Sequence, residues 1–211
     1  MKEIKDVTMS KRFVYFDLGN VLVTFDPKIA ARQLSLAAGC SIDRVLDSVF
    51  TSDVQLRYER GILSDDDYAN EINHLLGSQL TTSQILLAVS EIFEPNWSIL
   101  PILERLSSNR IPMGILSNTC DAHWTWLIHR DWPMLHGWFQ HHILSYRVRY
   151  MKPDSGIYEA SEAECGLSGS QIFFTDDREE NVVAAANRGW CTHQYLDTDA
   201  LSRALEDWLR E

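Results

Sequence analysis

The sequence predicts an α/β fold, a parallel-sheet core interrupted by an all-helical insertion. Short apolar runs alternate with longer helical patterns, three of those runs end in polar residues, and residues 27–95 break the alternation. The first run is Phe13-Val14-Tyr15-Phe16, ending in Asp17-Leu18-Gly19-Asn20. The second is Pro112-Met113-Gly114-Ile115-Leu116, ending in Ser117-Asn118. The third is His142-Ile143-Leu144-Ser145, and the fourth is Ile172-Phe173-Phe174-Thr175, ending in Asp176-Asp177. A weaker fifth is Thr192-His193-Gln194-Tyr195-Leu196. The spacing predicts a last helix over 199–210, with Leu201, Leu205, Trp208 and Leu209 as its buried stripe.

Residues 27–95 show no convincing strand. Ser64-Asp65-Asp66-Asp67 leads into Tyr68, Ile72 and Leu75-Leu76, a helix with a polar cap and an acidic first turn. Thr81-Thr82-Ser83-Gln84 opens Ile85 to Phe93 as a capping box. The segment is bounded by Asp26-Pro27 and Pro95-Asn96. The expected organisation is a core of residues 11–26 and 96–211 around a helical insertion at 27–95.

Composition narrows the function classes. The chain has 211 residues, 45% of them hydrophobic and 23% charged, as in an ordinary globular protein. The net charge of -11 argues against a generic nucleic-acid binder, which needs clustered Lys and Arg. Cys40, Cys120, Cys165 and Cys191 form no CxxC, which points to reduced thiols rather than a zinc site or disulfide framework. Met1 to Arg12 lacks the apolar stretch of a secretory signal, and no run approaches the ~18 apolar residues of a membrane span. No membrane is expected as partner, and the cytoplasm is the expected location. Oligomeric state is not legible.

In a parallel sheet, ligands bind beyond the carboxyl ends of the strands, at the topological switch point. Asp17, Ser117, Asn118, Asp176 and Asp177 should therefore converge. Gathered carboxylates repel one another unless a cation joins them, and an all-oxygen set suits Mg²⁺. A carboxylate can attack phosphorus, while a metal and a lysine neutralise the phosphoryl oxygens. Lys152, in Tyr150-Met151-Lys152-Pro153-Asp154, supplies the lysine, and Pro153 is expected to start a helix.

These segments resemble the four motifs of the haloacid-dehalogenase superfamily, in order. Phe16-Asp17-Leu18-Gly19-Asn20-Val21-Leu22 looks like the first and Leu116-Ser117-Asn118-Thr119 the second. Lys152-Pro153 looks like the third, and Phe174-Thr175-Asp176-Asp177 with Asn181 the fourth. The insertion is similar to the superfamily's C1 cap. Tyr58-Glu59-Arg60-Gly61-Ile62-Leu63-Ser64 resembles the glucose-1-phosphate phosphatase branch. The resemblance implies a Rossmann-like core and a Mg²⁺-dependent phosphatase acting on a small phosphorylated metabolite, a sugar phosphate among the expected classes. It implies Asp17 as nucleophile and metal ligand, and the Gly19 carbonyl, Asp176 and Asp177 as further metal ligands. Ser117, the Asn118 N–H and Lys152 would hold the phosphate, and Asn181 would orient the acidic loop.

One position departs from the pattern. Relatives carry a second aspartate two residues after the nucleophile, as general acid and base, where this chain has Gly19. His123 is a candidate substitute or substrate contact, against a surface or packing histidine. Arg149 stands where relatives often have Gly, either as a solvated arginine or in an altered loop that reaches substrate. Glu59 and Arg60 read as a helix end, with Arg60 a weaker candidate for substrate contact. Trp124 is a candidate pocket residue, and Cys120 a buried filler. Two other readings stay open. One is a 2-haloacid dehalogenase, disfavoured by Asp176-Asp177. The other is an inactive ligand-binding relative, favoured only by Gly19.

Overall fold

A computed structural model describes residues 12–210. Residue 11, at the expected start of the core, residue 211 at its end, and the N-terminal stretch read for a secretory signal up to residue 11, lie outside the described residues.

The chain opens with strand β1 (Phe13–Phe16) and β2 (Val23–Phe25). It then enters a run of helices: α1 (Pro27–Ala38), α2 (Ile42–Val45), a π-turn over Leu46–Phe50, α3 (Val54–Glu59), α4 (Asp65–Leu76) and α5 (Thr82–Ser90). It leaves through β3 (Phe93–Pro95). The remainder alternates: α6 (Leu100–Ser108), β4 (Met113–Ser117), α7 (Asp121–Ile128), β5 (Phe139–Leu144), α8 (Ser145–Val148) and α9 (Ser155–Cys165). β6 (Ile172–Asp176), α10 (Glu179–Ala186), β7 (Cys191–Gln194) and α11 (Thr198–Arg210) complete it.

Local chemistry sets the helix starts. Asp26 caps α1 through the Lys28 N–H, with Pro27 in the first turn. Ser64 with Asp67, and Thr81 with Gln84, form full capping boxes at α4 and α5.

Five strands form one parallel sheet in the order β5-β4-β1-β6-β7. β1 alternates between two cores. Val14 and Phe16 pack with Ile102, Leu103, Phe173 and Leu205 on one face, and Phe13 and Tyr15 pack with Ile157, Tyr158, Phe174 and Trp190 on the other. Burial on both faces is what a central parallel strand requires. A third core lies among the helices: Leu34, Tyr58, Tyr68, Ile72 and Ile85, joined by Cys120 and Ala122 from the start of α7.

Several sequence expectations need correction. Residues 27–95 do end in a strand: β3 pairs antiparallel with β2, Phe25 opposite Phe93, making a ribbon at the entry and exit of the helical run. Three residues are too short to show a period, so only the pairing reveals it. The third sheet strand begins at Phe139 rather than His142, and Ser145 already starts α8. Pro153 starts no helix; it sits in the turn before α9, which begins at Ser155. Trp124 is buried against His142 in the sheet core and lines neither of the two cavities over the site. Among the described residues, no helix is long and apolar enough to cross a membrane.

Candidate active site

The chain builds from β1 outward through β4 to β5, then crosses to β6 and β7 on the other side of β1, so the carboxyl ends of β4, β1 and β6 define the switch point. Asp17 follows β1 directly, Ser117 ends β4, and Asp176 ends β6. Oxygens of Asp17, Asp176 and Asp177 lie within 4.8 Å of one another. Of the five residues expected to converge, these three carboxylates are brought together.

Lys152 ties this edge together. Its Nζ donates to Asp17 Oδ1 at 2.7 Å, Asp176 Oδ2 at 2.5 Å and Leu116 O at 2.9 Å. Three acceptors match the three protons of an ammonium. All three charged groups are buried. Burial works against the ammonium, but the Asp17 and Asp176 carboxylates outweigh it and hold Lys152 above its ordinary value. Burial pushes Asp17 up to about 7; Lys152 opposes this, and the Asp176 charge adds to it. Three carboxylates facing one ammonium leave an under-compensated negative pocket. The donors are all hard oxygens, so the set fits a divalent cation such as Mg²⁺.

The supporting shell is specific. Asn181, in the first turn of α10, donates to both oxygens of Asp176 at 3.0 Å, and the Arg178 N–H adds a bond at 2.8 Å. Asn118 and Lys152 clasp each other's backbone: Asn118 Nδ2 donates to Lys152 O at 2.9 Å, and the Lys152 N–H donates to Asn118 Oδ1 at 2.7 Å. Ser117 Oγ makes only a long contact of 3.4 Å with Asn118 O. Gly19 borders the same cleft as Asp17 and Asp177. Sequence reasoning missed Asn20, whose Nδ2 donates to Asp177 Oδ2 at 2.9 Å from a left-handed backbone at φ 56°. The tolerance of Asn for that conformation was the available signal.

Two cavities meet over this edge. A polar one of about 310 Å³ is bordered by Asp17, Lys152, Asp177 and Asn181. An apolar one of about 320 Å³ lies toward the helices. Gly19, Phe25, Glu59 and Asn118 belong to both walls. A Cβ on Gly19 would come within 2.9 Å of the Phe25 ring, so the ring crowds the space a side chain at 19 would need.

Glu59, read from the sequence as a helix end, is half-buried at this junction. Its Oε1 accepts from Gln55 at 2.8 Å. Burial raises its carboxyl above the ordinary value, while Gln55 and Arg178 pull the other way. Its backbone is fixed to the sheet side of the molecule. Ser145 Oγ lies 2.7 Å from Glu59 O and also accepts the Thr119 N–H at 2.9 Å. Arg149 donates to Gly61 O at 2.8 Å from a left-handed backbone at φ 62°, so the loop keeps positive φ without glycine. Arg60 pairs with Asp154 at the surface, at 3.4 Å, rather than entering the cleft. His123 borders the apolar cavity, its Nε2 3.1 Å from Val89 O; burial drives its pKa down to about 4, so the ring is neutral. Cys120 is fully buried, and burial pushes its thiol up, which makes it inert filler.

A profile of haloacid dehalogenase-like hydrolases matches residues 12–189. The chain is 28% identical over 198 residues to the sesquiterpene phosphatase astK of Aspergillus oryzae, covering 90% of this chain and 92% of that protein. It is 24% identical over 186 residues to a D-ribitol-5-phosphate phosphatase of Bacteroides thetaiotaomicron, covering 86% and 90%. The fold matches the crystal structure of HAD family enzyme bt-2542 from Bacteroides thetaiotaomicron at TM-score 0.80 and 23% identity, over 92% of this chain and 98% of that one. An Asp12Ala mutant of that enzyme, solved with magnesium and inorganic phosphate, matches at TM-score 0.78 and 23% identity, over 90% and 98%.

Proposed function

The chain belongs to the haloacid dehalogenase-like hydrolases, and on that footing we propose that it is a magnesium-dependent phosphatase that hydrolyses a small phosphate monoester through Asp17. The observation that carries this reading is Lys152 bridging the buried Asp17 and Asp176 carboxylates, with Asp177 completing a cation-sized oxygen set. The two phosphatase relatives support it, and they differ in the alcohol named, a sesquiterpene in one and ribitol in the other. The structure of bt-2542 in complex with magnesium and inorganic phosphate supports the metal.

Asp17, Asp176, Asp177 and the Gly19 carbonyl would hold Mg²⁺, which supplies positive charge to the phosphoryl oxygens and lowers the charge repulsion among the carboxylates. Ser117 Oγ and the Asn118 N–H hold the phosphate, and Lys152, its protons on Asp17, Asp176 and Leu116 O, faces it as a positive charge. Asp17 attacks phosphorus, the bond from phosphorus to the ester oxygen breaks, and an aspartyl-phosphate forms. Glu59, held at the junction of the two cavities, gives its proton to the departing oxygen. It then takes a proton from the water that attacks phosphorus and frees Asp17. Gly19 cannot perform that proton transfer, and His123 is assigned to the apolar wall as a substrate contact. Asn181 and Asn20 orient Asp176 and Asp177.

Residues 27–95 act as the cap over this site, in keeping with the C1 arrangement. The Asp17-Leu18-Gly19-Asn20-Val21 run and the Tyr58–Ser64 segment support a place near the glucose-1-phosphate phosphatase-like branch by motif. Dehalogenation is disfavoured because it needs the aspartate alone, without the cation set that Asp176 and Asp177 complete. A purely ligand-binding role is disfavoured by the complete Asp17–Lys152–Asp176 triad. The test is phosphate release from p-nitrophenyl phosphate: turnover with Mg²⁺, none in EDTA, and none in Asp17→Asn. Turnover retained in Asp17→Asn sinks the proposal.

A further inference from the structure

We propose that the site takes a phosphate monoester of a long apolar alcohol, with the hydrocarbon body seated in the cavity beside the helices. The inference rests on the phosphatase reading and adds the substrate class. Phe25, Ala30, Leu34, Val49, Phe50 and Ile92 form much of that cavity's wall. Its volume of about 320 Å³ lies within the ~300–1,000 Å³ of ordinary ligand pockets. It contains no Lys or Arg in its lining.

Of the polar side chains in the wall, those of Ser52, Gln55, Tyr68 and His123 are already engaged. Tyr68 Oη donates to Gln55 Oε1 at 2.9 Å, Gln55 Nε2 to Glu59 Oε1 at 2.8 Å, and Ser52 Oγ to Val49 O at 2.7 Å. His123 Nε2 is engaged by Val89 O. A sugar or polyol would bury its hydroxyls there with few partners, which is costly. A hydrocarbon loses nothing and leaves water.

The apolar wall also reaches the phosphate end. Phe25 belongs to both cavities and crowds the space beside Gly19, so the missing second aspartate and the apolar wall occupy one place. At the open side, Phe25 and Phe50 remain 41% and 43% exposed. Two aromatic rings facing solvent at the rim of an apolar cavity are surface that a bound hydrocarbon would cover.

The test uses the full chain with Mg²⁺ and n-alkyl monophosphates from butyl to dodecyl, beside glucose 1-phosphate and ribitol 5-phosphate. In parallel, calorimetry follows binding of the corresponding n-alkylphosphonates, which cannot be hydrolysed. The expected result is kcat/KM rising with length, up to about fourfold for each methylene until the cavity is full, with phosphonate affinity following. Phe50→Ser should lose more on dodecyl than on butyl phosphate. A flat alkyl series alongside efficient turnover of the sugar or polyol phosphates overturns the substrate class and leaves the phosphatase intact. Length-dependent phosphonate binding with no ester turned over overturns the phosphatase reading and leaves the cavity assignment standing. Flat phosphonate binding with no turnover overturns both.

Discussion

The two cavities that share Gly19, Phe25, Glu59 and Asn118 are nearly equal in volume and opposite in construction. The polar one is built from strand ends. Asp17, Lys152 and Asp176 are buried there and cross-linked through Lys152, and the site is braced by Asn118, Asn181 and Asn20. The apolar one is built from α1, the π-turn, the two-stranded ribbon and α5, and leaves aromatic rings exposed at its rim. Reaction chemistry needs fixed charges on a rigid sheet edge, whereas choice of substrate needs only shape and polarity. The second task therefore falls to helices and a short ribbon whose side chains can vary without disturbing the first.

Substitutions should divide along the same line. Asp17→Asn carries the largest effect, a loss of about 10⁴-fold or more in kcat, as expected for a nucleophile. Because burial already disfavours the Asp17 charge, the metal-free variant should melt no lower than the wild type, which differential scanning calorimetry would show. A large drop in Tm would mean that the polar cavity is held by that charge. Lys152→Met removes the ammonium between two buried carboxylates and should cost about 3–5 kcal/mol in urea unfolding. Mg²⁺ should recover part of the loss, and a silent substitution would contradict the cross-link.

Glu59→Gln sits on the boundary. It should lower turnover about 10²-fold on alkyl phosphates, whose leaving oxygen needs a proton, and much less on p-nitrophenyl phosphate. Equal losses on both esters would assign Glu59 to positioning alone. Gly61→Ala should have the smallest effect on the site and act on its mounting. Gly61 has φ 67°, and a Cβ there would collide with Tyr146 O. The variant should unfold about 1–3 kcal/mol more easily, with a weaker response of activity to alkyl length as the helical side loosens. An unchanged midpoint would show that this contact gives way freely.

The sequence made the polar cavity legible because strand ends are local. Three of the five apolar runs finish in a functional residue, and parallel pairing brings Asp17, Ser117 and Asp176 together. Lys152 was legible by type and order, although its three acceptors come from three separate strand ends. Of the helices in 27–90, α4 and α5 were legible from their caps at Ser64 and Thr81. The β2–β3 ribbon was not, since its partners lie about seventy residues apart and each is three residues long. Glu59 was hidden for the same reason. Its neighbours in sequence describe a helix end, and only Ser145 and Arg149, reaching across from the sheet side, show why it faces the cleft. The apolar cavity combines α1, the π-turn and α5 with the ribbon, and no single segment carries its signature.

The most direct measurement is a borohydride quench during steady-state hydrolysis with Mg²⁺, followed by peptide mapping. Borohydride reduces an acyl phosphate, so Asp17 should be recovered as homoserine in the peptide that contains it, and only when substrate and Mg²⁺ are both present. Turnover that proceeds while Asp17 is recovered unmodified, or homoserine appearing at another aspartate, would contradict the account.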